Sequence, residues 1–149
     1  MPLKDQLADD LKDAIRQMDE NRKNSIRMVT WAVKNAEVDK GGPLDDAAVL
    51  GIIGKEVKRR RESIEEFGKA NRQDLVDKEQ AEMAILSAYL PEQVGRDEIE
   101  KAAREVIAEV GASGPSDKGK VMPVIIGRLA GRAEGRDINE VVTELLAAL

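Results

Sequence analysis

The stretch 89–94, with the sequence YLPEQV, constrains the fold more than any other part of the chain. Leu90 ends a long apolar helical period, and Pro91 disfavours the α conformation at the residue before it, so a helix should end there. This leaves about 90 residues upstream and about 55 downstream, the latter near the lower limit for an independent core. The sequence therefore predicts three segments: a helical domain at 1–90, a hinge at 91–96 and a smaller domain at 97–149.

Apolar residues recur at helical spacing on both sides of this division. The sequence therefore predicts an all-α protein, with a larger N-terminal domain of helical hairpins and a small C-terminal three-helix bundle. The stripe of the first helix consists of Leu3, Leu7, Leu11, Ala14 and Met18. Gly68 is expected to end the third helix, and Asn71 with Asp74 resembles the N-cap pair of a fourth. These two helices should form an antiparallel hairpin.

The second helix, predicted from Arg22 to Lys40, is apolar on two faces. One face carries Ile26, Val29, Val33 and Ala36, and the nearly opposite face carries Met28, Trp31 and Val38. A helix that is apolar on opposite sides usually packs between neighbours, so we expect Trp31 to be buried. The alternative is that Trp31 and Met28 form an exposed surface for a binding partner.

Arg60 lies near the centre of the apolar stripe of the third helix, which aims its guanidinium at the core. On the other arm of the hairpin, Glu79 comes opposite Arg60, and Glu82 lies one turn further along. An unpaired buried charge costs several kcal/mol, so we expect a structural ion pair of Arg60 with Glu79 or Glu82. The alternative is an arginine held ready for an anionic ligand.

Three shorter helices are predicted after the division. Asp97 is expected to cap the first, and Ser116 or Asp117 the second. Pro123 falls inside the apolar pattern of the second and lacks the N–H that would bond to Gly119. Either the first turn of that helix is irregular or the helix begins nearer Lys120.

Residues 118–136 contain the only compact basic cluster of the second part. Its cations are Lys118, Lys120, Arg128, Arg132 and Arg136, and five positive charges against Glu134 alone give a local charge of +4. Glycines in the same segment let a partner approach the backbone closely, and a helix N-terminus offers N–H groups to a phosphate. The cluster is therefore a candidate RNA-binding site; the alternative is that its glycines form turns and its cations serve solubility.

Composition excludes several classes of function. The chain has no Cys and no His, which removes disulfides, Cys/His metal sites and Ser-His-Asp triads, and no cofactor or metal is predicted. Trp31, Phe67 and Tyr89 are the only aromatic residues, which argues against a stacking platform for bases. The net charge of −5 argues against a broad electrostatic grip on nucleic acid. With neither an apolar signal core nor a membrane-spanning segment in sequence, a cytoplasmic protein is expected.

Six segments of the chain resemble the YqeY (GatB/YqeY) family. They are RRRESIEEF at 59–67, RQDL at 72–75, AIL at 84–86, YLPEQ at 89–93, GKVM at 119–122 and GRAEG at 131–135. Members of this family resemble the tail of the B subunit of the glutamine-dependent amidotransferase. That enzyme converts mischarged Glu-tRNA or Asp-tRNA to the glutaminyl or asparaginyl form. The resemblance covers essentially the whole chain and implies a two-part helical fold. It also implies that such a tail holds tRNA, while the amide-forming chemistry lies in a different domain.

Three functional hypotheses follow. The preferred one is a stand-alone tRNA-binding module that contacts phosphates through the five cations of residues 118–136. The alternative is a protein–protein adaptor without an RNA role, docking through residues 89–94 or 59–66. The third is a carbon–nitrogen ligase with glutamine as amido-N-donor, as the resemblance implies for the family, although no stand-alone catalytic site is visible in the sequence. The sequence leaves the oligomeric state open.

Overall fold

The computed structural model describes residues 1–149 and contains helices and no strands, which confirms the predicted all-α class. Seven α-helices follow one another, with a short 3-10 turn at Pro115–Asp117 between the fifth and sixth. Their bounds are α1 Leu3–Arg16, α2 Glu20–Lys40, α3 Asp46–Lys69, α4 Gln73–Ser87, α5 Arg96–Val110, α6 Lys118–Arg128 and α7 Gly135–Ala147. The chain divides into two compact units, Met1–Leu90 and Pro91–Leu149.

The first unit contains α1 to α4, and capping residues mark several of the helix ends. The Asp19 carboxylate accepts a hydrogen bond from the Arg22 N–H at the start of α2, and Asp45 accepts one from the Ala48 N–H at the start of α3. Gly41 ends α2 with a φ of 80°, a conformation that glycine adopts without strain. The apolar core of the unit is formed by Leu3, Leu7, Ile26, Val29, Val33, Val49, Ile53, Val57 and Leu86.

The turn between α3 and α4 differs from the prediction. Gly68 lies inside α3, which continues to Lys69, and the left-handed residue is Asn71, with a φ of 56°. Asparagine tolerates this conformation better than other non-glycine residues, so it can serve as the turn residue expected of Gly68. Asn71 consequently does not cap α4; Arg72 occupies the N-cap position without a side-chain cap. Met18, assigned by periodicity to the stripe of the first helix, lies beyond the end of α1 and is exposed.

The second unit is a bundle of α5, α6 and α7 around its own apolar core. That core is formed by Ile99, Ala102, Ala103, Val106, Ile107, Val121, Ile125, Leu129, Ile138, Val141, Val142 and Leu146. The segment predicted to be a hinge is attached to this bundle. The Val94 N–H donates to the Arg132 carbonyl at 2.9 Å, and the Gln93 amide donates to the Gly131 carbonyl at 2.6 Å. Helix α5 begins at Arg96, one residue inside that segment.

The predicted capping side chains of α5 and α6 form no cap hydrogen bonds. Asp97 lies in the first turn of α5, whose N-cap position is Gly95. Asp117 occupies the N-cap position of α6, as predicted, but its carboxylate accepts hydrogen bonds from the N–H and hydroxyl of Ser113 in the preceding loop and makes no cap hydrogen bond to α6. Pro123 lies inside α6, on its exposed side, where the missing N–H removes one helical hydrogen bond. The irregular start predicted for this helix takes the form of the 3-10 turn that precedes it.

Candidate functional site

The five cations predicted to bind RNA lie on α6, α7 and the loop between them. Lys118 and Lys120 lie in the first turn of α6, Arg128 in its last turn, Arg132 in the loop, and Arg136 in the first turn of α7. Lys120, Arg128 and Arg136 are exposed, and Lys118 and Arg132 are half-buried. All five side chains therefore reach the surface of the bundle.

The guanidinium of Arg128 is already engaged by two acids of α5. Its Nη1 and Nη2 donate to the two carboxylate oxygens of Glu109 at 3.1 and 2.7 Å, and Glu105 lies 4.0 Å away. This paired geometry is the strongest that an arginine and a carboxylate form. It lowers the pKa of Glu109 and raises the pKa of Arg128, chiefly through the hydrogen bonds that join them. Glu109 therefore competes with any phosphate for the guanidinium of Arg128.

Two more of the predicted cations have acidic neighbours. Arg132 Nη2 lies 4.0 Å from the carboxylate of Glu98, and Lys120 Nζ lies 3.6 Å from Asp117. Hydrogen bonds from Ser113 are the main reason that the pKa of Asp117 is lowered, and the charge of Lys120 lowers it further. The local charge of +4 counted along the sequence is therefore largely offset by acids, most of them from α5.

Lys118 and Arg136 form no ion pair within 4.0 Å and are the most available cations of the cluster. The expected N–H donors of α6 are less available, because the Lys118 N–H donates to the Pro115 carbonyl of the 3-10 turn. Contacts to an anion here would come from side chains more than from the helix backbone.

The first unit contains a buried ion cluster centred on Arg60, which is 3% exposed. Its Nη1 donates to the Glu56 carboxylate at 2.8 Å, and its Nε lies 3.4 Å from a carboxylate oxygen of Glu82. Glu79, the other predicted partner, is only half-buried and does not pair with Arg60. A turn centred at Asn71 places the position opposite Arg60 two residues later than a turn centred at 70, which brings Glu82 into place.

Sequence reasoning missed Glu56. It precedes Arg60 by four residues on α3, and residues at this spacing lie next to each other on a helix. Glu56 also lies 3.5 Å from the exposed Arg59, so two guanidinium groups balance two carboxylates. The Nε of Arg60 has no hydrogen-bond partner, although Glu82 is close, so this second contact is Coulombic without good hydrogen-bond alignment.

The Arg60 cluster joins three helices. Arg60 Nη2 lies 3.4 Å from the sulfur of Met28 on α2, while Glu56 is on α3 and Glu82 is on α4. Buried charges at this depth constrain which register the helices adopt, because a shifted register would leave an acid unpaired.

A second polar contact in this unit joins Tyr89 to α1. The Tyr89 hydroxyl donates to the Asp10 carboxylate. Burial is the main reason that the pKa of Tyr89 is raised.

The prediction that Trp31 is buried is wrong. Trp31 is 69% exposed, Val38 is 78% exposed and Met28 is 45% exposed. Helix α2 packs within the first unit through Ile26, Val29 and Val33, and the opposite face is left open to solvent. The alternative considered from the sequence, an exposed apolar surface, is the one observed.

Two classes of site are not found in the structure. No group of three or more acidic side chains is placed to hold a metal ion. None of the helices has the length and apolar character needed to cross a bilayer.

Comparison with known proteins identifies relatives for nearly the whole chain. The family model described as Yqey-like protein matches residues 4–146. A relative from Pyrenophora tritici-repentis is 32% identical over 142 residues, which cover 93% of this chain and 78% of that protein. A relative from Lachancea thermotolerans is 37% identical over 113 residues, covering 74% of this chain and 60% of that protein. One from Eremothecium gossypii is 45% identical over 85 residues, covering 56% of this chain and 46% of that protein.

Each of these relatives is named Altered inheritance of mitochondria protein 41, mitochondrial. These names contradict the expectation of a cytoplasmic protein, which had rested on the lack of a visible signal sequence. The aligned part spans less than two thirds of the second and third relatives. The match to residues 4–146 establishes the family: this chain belongs to the YqeY family.

Proposed function

We propose that this YqeY-family protein is a tRNA-binding module that holds folded RNA weakly through cations of its C-terminal unit. The observation that carries the proposal is the position of Lys118 and Arg136, in the first turns of α6 and α7 with no acid within 4.0 Å. Cations at a helix N-terminus are disfavoured by the helix dipole, and a bound phosphate would relieve this. The resemblance to an amidotransferase tail supports the same role, and in that enzyme the amide-forming chemistry lies elsewhere.

The intramolecular ion pairs set the strength expected of this interaction. Arg128 and Arg132 would have to exchange Glu109 and Glu98 for phosphates, so each contributes little net free energy. Lys118 and Arg136 are then the main contacts, together with Lys120, whose side chain is 67% exposed although Asp117 lies 3.6 Å away. Three phosphates at about −0.7 each give a slope of log affinity against log salt of about −2. Binding should be measurable at low salt and nearly lost at physiological salt.

The test is a titration of the purified protein with total tRNA at two salt concentrations. The variant Lys118→Ala with Arg136→Ala should lose most of the affinity, because it removes the two unpaired cations. The matched control is Lys12→Ala with Lys78→Ala, two exposed lysines of the first unit. Both double variants change the formal net charge from −5 to −7. A larger loss of tRNA affinity in the Lys118→Ala and Arg136→Ala variant is therefore due to the position of those cations and not to net charge. Equal losses in the two variants, or no tRNA binding by the native protein at low salt, would refute the proposal.

A further inference from the structure

The exposed face of α2 is a mainly apolar stripe, interrupted by Asn35, with one basic edge. Met28, Trp31, Asn35 and Val38 recur at spacings of three and four residues, so they lie along one side of the helix. Arg27 and Lys34 lie together along one edge of this stripe. We call these six residues the Trp31 surface.

The basic edge of the Trp31 surface is free of internal partners. Arg27 and Lys34 are exposed, and neither has a carboxylate within 4.0 Å. Lys23, the preceding cation on the same side, differs because it pairs with Glu20 at 2.9 Å. Arg27 and Lys34 are seven residues apart, so they are separated by about two helical turns, or about 10 Å.

The Trp31 surface lies over buried side chains. The sulfur of Met28 contacts the buried guanidinium of Arg60, which is itself paired with Glu56 and Glu82. The inner face of α2 is fixed by fully buried side chains such as Ile26 and Val29. A partner would therefore meet a preformed helix face, with little ordering of the backbone to oppose binding.

We propose that the Trp31 surface docks an amphipathic helix of a protein partner that carries carboxylates along one edge. The apolar contact extends from Met28 to Val38, about 15 Å along the helix, which suits the apolar face of another helix. Carboxylates seven residues apart on the partner would match Arg27 and Lys34. The stripe holds one aromatic residue only, so it could stack a single base, and Met28 and Val38 beside it suit an apolar helix face better than a phosphate backbone. A second copy of this chain would bring the same cations and no carboxylate on the stripe.

Trp31 is the only tryptophan and therefore reports on this surface directly. The probe is a synthetic 18-residue helical peptide with leucines at spacings of three and four residues and glutamates seven residues apart along one edge, about five turns long. Its counterpart has lysines in place of those glutamates, and neither peptide contains tryptophan. The acidic peptide should shift the Trp31 emission to shorter wavelength, with saturation, and its counterpart should not.

The cations are tested with Arg27→Ala and Lys34→Ala combined, which leaves Trp31 in place as the reporter. Two exposed ion pairs predict a loss of affinity of about fivefold for the acidic peptide. The Lys12→Ala and Lys78→Ala control, with the same net charge, should lose much less. Failure of the acidic peptide to shift the emission, equal responses to both peptides, or a shift with total tRNA alone would overturn the proposal. These outcomes are separate from the tRNA proposal, which depends on Lys118 and Arg136 in the other unit.

Discussion

Replacing Arg60 by methionine should destabilise the first unit more than any other single substitution of a charged residue in that unit. The guanidinium is 3% exposed, and its removal leaves Glu82 with no cation and Glu56 with only the exposed Arg59. Removing one partner of a buried ion pair typically costs about 3 to 5 kcal/mol, because the remaining charge is desolvated and unpaired. We expect a loss in this range for Arg60→Met.

Two further variants separate stranded charge from lost packing. Glu82→Gln keeps the shape of the side chain and leaves Arg60 paired with Glu56, so it should cost only about 1 to 2 kcal/mol. Replacing Arg60, Glu56 and Glu82 together by methionine removes every buried charge at this position. Because apolar replacements of whole ion clusters are often neutral or stabilising, the triple variant should recover most of the stability lost by Arg60→Met.

The assay is urea-induced unfolding followed by far-UV circular dichroism, with hydrogen exchange to locate the effect. Because each unit has its own core, amides of α3 should lose protection in Arg60→Met while those of α5 keep theirs. A loss below about 1 kcal/mol for Arg60→Met, or a triple variant less stable than the single one, would refute the reasoning from stranded charge.

Three other outcomes can be measured directly. Tyr89→Phe removes the hydrogen bond to Asp10 and should lower the free energy of unfolding by about 1 kcal/mol. The pKa of Tyr89 is raised above 10.0 in the folded state, so the native protein should lose stability as the pH rises past this value. The Tyr89→Phe variant should lose less stability over the same pH range. Asn71→Ala should cost about 1 kcal/mol in the urea assay because of its positive φ, whereas Asn71→Gly should be nearly neutral. Glu109→Gln should release Arg128 and raise the affinity for total tRNA about twofold, and an unchanged affinity would exclude Arg128 from the contact.

Local steric and periodic rules explain why much of the fold is predictable. Leu90 precedes a proline, and no helix continues through it: α4 ends at Ser87, three residues earlier than predicted, and the first unit ends at Leu90. The burial of Arg60 follows from its place in an apolar stripe, because periodicity depends only on the helix itself. The exchange of Gly68 for Asn71 as the turn residue was not predictable from preference alone, since both residue types occur in the left-handed conformation at helix ends.

The errors concern quantities that depend on neighbouring helices. Periodicity shows that α2 has two apolar faces, but only the arrangement of α1, α3 and α4 determines that one face remains uncovered, which leaves Trp31 exposed. Charge counted along residues 118–136 likewise omits α5, which lies beside that segment in the bundle. Glu98 and Glu109 are 34 and 19 residues from the arginines that they approach, Arg132 and Arg128.

Pairing therefore changes which cations of this acidic chain can bind a partner. Arg128 is exposed, yet its two-point contact with Glu109 makes exchange for a phosphate nearly neutral in free energy. Lys118 and Arg136 have no such competitor, and Arg27 and Lys34 have none on the other unit. Acids outnumber bases by 29 to 24 over the chain, so most of its surface repels an anion. A cation without an acid nearby gives a locally positive potential that can attract one. The two proposed surfaces, one for RNA and one for an acidic helix, rest on that difference in pairing. Counting charges along the sequence does not show it.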